Sequence, residues 1–378
     1  MKIVFNLICS PHGGIANYVK GILEAFKKYG FKSGIFYNKN ISNKSFKNSI
    51  NELLSNDLIF DNIKTHKTPK LKTFFDLIYI MKKLKKYNRD QIIIYAHGTS
   101  SVGISLILKI IKPNIKVFYF PHGGLSHFYN RSFLKKYSVY SFDFILRLLK
   151  INFAYESIYT KNIYQNNSCK FLKKNYEDYI YSIPSKLKIC FKGQYPKFKT
   201  TKSSKNSEYF IVIYMGTWRK IKGAYKLLNV LKELNDKDLI LDDGRKILFK
   251  FYTDLINIRD LKINSFIKFY NWTENPFEII NQADLQIIPS QLESFGYVGL
   301  EAIANQTPVI HTNIGGLKEI FANTNMPILP IDFNKNELLN LIKYVSHKEF
   351  YELLGMKFNF NKFLKNSFWN YDKLNNFF

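Results

Sequence analysis

Two glutamates, Glu293 and Glu301, frame the segment Glu293-Ser-Phe-Gly296-Tyr-Val-Gly299-Leu-Glu301, where an apolar run ending at Ser290 passes through a glycine turn into an apolar helix beginning near Tyr297. The backbone N–H groups of a first helical turn lack partners inside the helix, so such a turn is an anion site. A carboxylate accepts paired hydrogen bonds from neighbouring hydroxyls, which suits one glutamate to a sugar and the other to a ribose diol. An isolated pair of glutamates is ordinarily a solvated surface feature. Glu301 argues otherwise, because a carboxylate in an apolar helix is costly without polar partners.

A second cluster, Gly216-Thr217-Trp218-Arg219-Lys220-Ile221-Lys222-Gly223, also follows an apolar run and sets three cations between two glycines. It reads equally as a phosphate cradle or as a solvated basic loop. Glycine or His-Gly follows three further apolar runs, at Gly13-Gly14, His97-Gly98 and His122-Gly123-Gly124. Gly13 and Gly14 let the backbone approach a phosphate or an acceptor closely, since no side chain intervenes. Asp236-Lys237-Asp238 is the one Asp-x-Asp in the chain; it stands in a polar helix exit and reads as solvent-facing, so no metal site is expected.

These residues need a scaffold, and the sequence supplies one twice. Ile3–Ile8, Ser33–Tyr37, Gln91–Tyr95 and Lys116–Phe120 read as strands separated by helical patterns such as Ala16–Tyr29. After a Lys/Ser/Thr/Pro stretch the alternation resumes: strands at Tyr209–Met215, Ile247–Tyr252, Ile267–Phe269 and Leu285–Ile288, helices at Ala224–Leu234 and Pro276–Gln282. Strands alternating with helices predict parallel βαβ units, whose ligands bind at the strand C-termini. The 378 residues suit two domains at roughly 150 residues each. The expected division is 1–185, a linker over 186–206, 207–360, and a helix over 361–378 returning to the first domain.

The 46% hydrophobic content is ample for two cores, and no run of about 18 apolar residues would span a bilayer. Three cysteines without CxxC spacing point to a reducing compartment, and the short apolar start reads as a strand instead of a leader, so a cytoplasmic location is expected. The net charge of +27 calls for an anionic partner or reflects compositional drift. Its cations are dispersed, with no zinc-finger or RNP pattern, which disfavours nucleic acid.

Glu293-Ser-Phe-Gly-Tyr-Val-Gly-Leu-Glu301 resembles the Glu-x7-Glu motif of the retaining glycosyltransferases of family 4, together with Ala283-Asp284, Pro308-Val309-Ile310 and Gly315-Gly316-Leu-Lys-Glu319-Ile320. The resemblance covers the C-terminal domain; the N-terminal half matches only through its glycine turns. It implies the α/β GT-B fold, two Rossmann-like domains facing across a cleft, and a nucleotide-diphosphate sugar as co-substrate. By that resemblance Glu293 binds donor-sugar hydroxyls, and the amides around Phe295, Gly296, Tyr297 and Val298 contact sugar and diphosphate. Glu301 holds the ribose, and Trp272, in Asn271-Trp272-Thr273, borders the base. His122, in Phe120-Pro-His-Gly-Gly, resembles the histidine that faces the donor sugar, and His97 lines the acceptor side. The family's Gly-Arg…Lys-Gly diphosphate grip maps onto Gly216 and Lys222. Its Arg position holds Thr217, so Arg219 or Lys220 must supply the second cation.

The resemblance implies retention of configuration, no divalent metal, and no assigned protein nucleophile. Its breadth suggests a glycan or lipid-linked glycan acceptor in cell-surface polysaccharide or lipopolysaccharide assembly. Basic, aromatic stretches such as Phe133–Lys150, with Lys135, Lys136, Arg147 and Lys150, suit either reversible contact with an anionic inner membrane surface or packed helices with snorkelling lysines. Two other classes stay open: a sugar-nucleotide epimerase or hydrolase on the same fold, and a non-catalytic nucleic-acid binder, which would show steep salt dependence.

Overall fold

The structure, a computed structural model, describes residues 3–347 except 9–14, 16–18, 21, 24–25, 28–29, 31, 39–43, 56–57, 64–70, 88–91, 123–143, 156, 168–177, 181–207, 254–263, 272–275, 306 and 323. The chain divides into two compact units, each built around its own sheet.

In the first unit, β1 (Ile3–Ile8), β2 (Lys32–Asn38), β3 (Ile59–Ile63), β4 (Ile92–His97), β5 (Lys116–Phe120), β6 (Asn152–Tyr155) and β7 (Asp178–Ile180) form a parallel sheet in the order β3-β2-β1-β4-β5-β6-β7. The largely apolar β1 and β4 are buried along their whole length, as central strands of a parallel sheet covered on both faces require. Helices Leu71–Leu84 and Thr99–Ile111 cover one face with Leu77, Ile80, Leu84, Val102 and Leu108, and Val19, Leu23, Ile50 and Leu54 cover the other. Asn6 interrupts this pattern: it is the one polar residue of β1, and it is fully buried.

The second unit has β8 (Tyr209–Met215), β9 (Lys246–Thr253), β10 (Ile267–Asn271), β11 (Leu285–Ile288), β12 (Val309–Thr312) and β13 (Ile328–Leu329) in the order β10-β9-β8-β11-β12-β13, again parallel. Asp284 Oδ2 accepts the Ile211 N–H at 2.7 Å and pins the start of β11 to β8. Each sheet reverses its order once, between β1 and β4 and between β8 and β11. A ligand in an open α/β sheet sits outside the strand C-termini at that reversal.

The expected strands are all present with ends displaced by a few residues, and five short strands (β3, β6, β7, β12, β13) join them. Most are edge or near-edge strands of two to five residues, too short for periodicity to separate from loops. Of the two settings open for the basic stretch that ends at Lys150, Arg147 takes the packed one. It is buried, its guanidinium lying 4.4 Å from the centre of the Phe153 ring, where stacking offsets part of the cost of removing the cation from water. The expected linker over 186–206 and the expected helix over 361–378 lie outside the described residues, as do Gly13, Gly14, Trp272, Lys135 and Lys136.

Candidate functional site

Two loops leave the sheet of the second unit at its reversal, 216–223 after β8 and 289–296 after β11, and they are tied to one another. Ile221 O accepts the N–H groups of Gln291 at 2.8 Å and Leu292 at 3.1 Å. Gly223 has φ 74°, and a Cβ there would overlap the carbonyl oxygen of Pro289, so this contact admits only glycine. Trp218 anchors the first loop from beneath, its buried ring packed against Tyr225, Phe251 and Phe269.

The chemistry-bearing side chains meet across this joint. Lys222 Nζ lies 2.6 Å from Glu293 Oε2, and Ser290 Oγ donates to the same oxygen at 3.3 Å. Both charged side chains are partly accessible, 30% for Lys222 and 14% for Glu293, so ligand atoms can reach them. Arg219 and Lys220 are exposed beside them on the same loop. An anion and a cation in one partly exposed cradle can hold hydroxyls and phosphate oxygens side by side.

The loop carrying Glu293 is held from behind as well. Gly316 N–H donates to Glu293 O at 3.0 Å, and Gly316 lies so close to the Phe295 backbone that a Cβ would overlap it. Thr312 Oγ1 donates to Ser290 O at 2.6 Å, and His311, buried and stacked on Phe321 at 4.1 Å, lies within 3.0 Å of Thr312 O. Gly296, at φ 99°, turns the chain into the helix Tyr297–Ala304. That left-handed turn starts the helix where the sequence places it, with Tyr297 and Val298 in its first turn. Glu301 lies one turn further in and is half-buried. Asp236 and Asp238 stand apart in a short 3₁₀ helix, where Asp238 caps the Asn235 N–H at 2.9 Å; among the described residues no cluster of three His, Cys, Asp or Glu side chains has metal-ligand geometry.

The first unit has its own polar constellation at its own reversal. His97, ending β4, lies 3.1 Å from Asn6 Oδ1 through Nε2 and 3.0 Å from His122 Nε2 through Nδ1. His122 takes φ 48°, a left-handed conformation that costs of order 1 kcal/mol in a non-glycine residue. Burial pushes His97 well below its ordinary value, with His122 adding to the effect, and pushes His122 down to about 3.

The structure therefore brings Lys222 to Glu293 and His122 to His97. Sequence reading missed Ser290 and Asn6. Ser290 offered no signal among other serines, whereas Asn6 did, as a lone amide in an apolar strand.

Residues 197–356, most of the second unit, match the profile of the family described as glycosyl transferases group 1. The N-acetyl-alpha-D-glucosaminyl L-malate synthase of Bacillus anthracis is 30% identical over 137 residues, spanning 35% of either protein. An uncharacterized glycosyltransferase of Methanocaldococcus jannaschii is 23% identical over 372 residues, covering 94% of this chain and 91% of that one. A 41.2 kDa protein in the cps region of Klebsiella pneumoniae is 26% identical over 274 residues, 68% of this chain and 71% of that one. Among solved structures, sucrose-phosphate synthase from Thermosynechococcus elongatus superposes over the full length of both chains with TM-score 0.67 at 16% identity. Anabaena HepE, in complex with UDP and glucose, does so with TM-score 0.67 at 14% identity. The architecture is the two-domain α/β GT-B fold.

Proposed function

We propose that this glycosyltransferase moves a hexosyl group, with retention of configuration and without a divalent metal, from a nucleotide-diphosphate sugar to a glycan or lipid-linked glycan acceptor. The observation that carries the reading is the Lys222–Glu293 pair at the β8/β11 reversal, set beside the start of the Tyr297–Ala304 helix. In this reading Glu293 accepts from sugar hydroxyls, and Lys222 with Arg219 faces the diphosphate. Gly216 and the amides around Phe295, Gly296, Tyr297 and Val298 complete the anion site, and Glu301 takes the ribose diol. His122, Gly13, Gly14 and Trp272 complete the donor contacts by family resemblance.

The anomeric C–O bond to phosphate breaks and its electron pair stays on the departing diphosphate. The acceptor oxygen bonds to the anomeric carbon on the same face, and its proton passes to the departing phosphate oxygen. A cation met mainly in the transition state supplies about 3 kcal/mol, near a hundredfold in rate.

UDP and glucose in the HepE complex favour a UDP-sugar donor, and the relative in the cps region favours cell-surface polysaccharide or lipopolysaccharide assembly. Proton NMR of the product from UDP-glucose and a glycan acceptor tests the reading: an axial anomeric linkage is expected, and an inverted one refutes retention. Free glucose or an epimer formed without acceptor would favour a hydrolase or epimerase.

Contact with an anionic membrane at the inner face also belongs to this reading. Ile110 and Leu148 are 57% and 60% exposed on helices that cover the same sheet face, near Lys109 and Lys150, and no Asp or Glu occurs between Asp90 and Asp143. No described helix is long and apolar enough to cross a bilayer. Sedimentation with anionic but not neutral vesicles, reversed by salt, is the expected behaviour.

A further inference from the structure

Ser290 stands just past the end of β11 and is tied to the elements on either side of it. The residue is buried, and Thr312, itself buried at the end of the neighbouring β12, donates its hydroxyl to Ser290 O at 2.6 Å. The residue before it is fixed from the other side, because Pro289 O lies so close to Gly223 that a Cβ there would overlap it. The Ser290 hydroxyl is therefore aimed by a backbone held at two points.

That hydroxyl reaches Oε2 of Glu293 at 3.3 Å, and Lys222 Nζ reaches the same oxygen at 2.6 Å. Among the described residues no donor meets Oε1, although an ionised carboxylate accepts on both oxygens. The two partners of Oε2 differ in freedom. Lys222 carries its charge on a flexible four-carbon stem and is 30% exposed, whereas Ser290 is buried on its anchored backbone. Once Lys222 turns to a phosphate, the Glu293 carboxylate, only 14% exposed, loses its ionic partner. An oxygen left without a donor in that setting is costly. At 3.3 Å the serine contact is longer than the usual hydroxyl bond of about 2.5–3.0 Å, so it has room to shorten as the ammonium withdraws.

We propose that Ser290 is a positioning residue, whose hydroxyl keeps Oε2 of Glu293 partnered while Lys222 is engaged by the diphosphate and so leaves Oε1 as the oxygen that accepts from the donor sugar. The proposal rests on the reading of Glu293 and Lys222 given above. Ser290 touches neither sugar nor phosphate in it and acts through Glu293 alone, so its effect is confined to ligands that carry a sugar.

Titration calorimetry of the full chain with UDP-glucose and with UDP separates this role from packing. Ser290→Ala should bind UDP within about twofold of the native chain and UDP-glucose about fivefold or more weakly. Equal weakening of both ligands, or of neither, would make Ser290 a packing residue and overturn the proposal. In the Glu293→Gln background Ser290→Ala should have no further effect on either ligand, because its action runs through the carboxylate. The full loss appearing there as well would overturn the part given to Ser290 while leaving Glu293 in place. An unchanged ratio of the two affinities in Glu293→Gln alone, or no binding of UDP-glucose to the native chain, would overturn the sugar contact of Glu293 itself and the proposal with it.

Discussion

Lys222 and Glu293 lie 71 residues apart in sequence, yet their side chains meet at 2.6 Å on two loops that the β8/β11 reversal places side by side. With both groups partly in solvent, the pair itself contributes about 1 kcal/mol or less to stability. Its value is positional, since each charge is aimed by the loop that carries the other.

Lys222→Ala is therefore expected to separate turnover from folding. Turnover should fall about a hundredfold if the ammonium stabilises the departing diphosphate, while the melting temperature moves by only a few degrees. Steady-state kinetics beside calorimetry checks both. Near-native turnover would transfer the role to Arg219 or Lys220.

Gly223→Ala should do the reverse and damage the scaffold first. The new methyl group would overlap the Pro289 carbonyl oxygen at a φ of 74°, so the two loops must part. A loss of about 2 kcal/mol or more is expected by urea denaturation. A loss below about 0.5 kcal/mol would show that the loops are not locked together there.

The buried histidines set a pH dependence of stability. Burial pushes His311 down to about 4, partly opposed by its bond to the Thr312 carbonyl, whereas the unfolded value is about 6.5. The unfolded chain takes up this proton first as pH falls. Stability is thus fully present above about pH 6.5 and is lost progressively towards about pH 4, by of order 3 kcal/mol. Urea midpoints should drop between pH 7 and pH 5, and less steeply in His311→Gln. Identical slopes in the two proteins would exclude His311 as a source.

Activity is expected to survive exhaustive EDTA treatment, because Lys222 and its neighbouring cations offer the charge that a metal would otherwise bring to the diphosphate. Loss with EDTA and recovery with Mn²⁺ or Mg²⁺ would contradict both the metal independence and the part given to Lys222.

Much of the second unit was legible in the sequence because its chemistry is local. Glu293, Gly296 and Glu301 fall within one strand–turn–helix, and Lys222 within another loop, so spacing reveals their local setting, while the roles proposed for them rest on the family resemblance. What spacing could not reveal was the partnership between those loops, nor that Ser290 would share the Glu293 carboxylate, since both depend on strand order. The Asn6–His97–His122 line was hidden for the same reason, its members lying on or just after strands whose adjacency only the sheet defines. For Arg147 the sequence left a membrane-facing and a packed setting open, and only the Phe153 ring beneath its guanidinium decides for the packed one.

Titration calorimetry with UDP, GDP and ADP, on the native chain and on Glu301→Ala, tests the central claim most directly. At least one nucleotide should bind the native chain, and the variant should bind it about tenfold or more weakly, the loss expected when paired hydroxyls forfeit their carboxylate. No heat with any of the three nucleotides, or equal affinity in both proteins, would contradict a nucleotide-sugar site built on the Glu293–Glu301 segment.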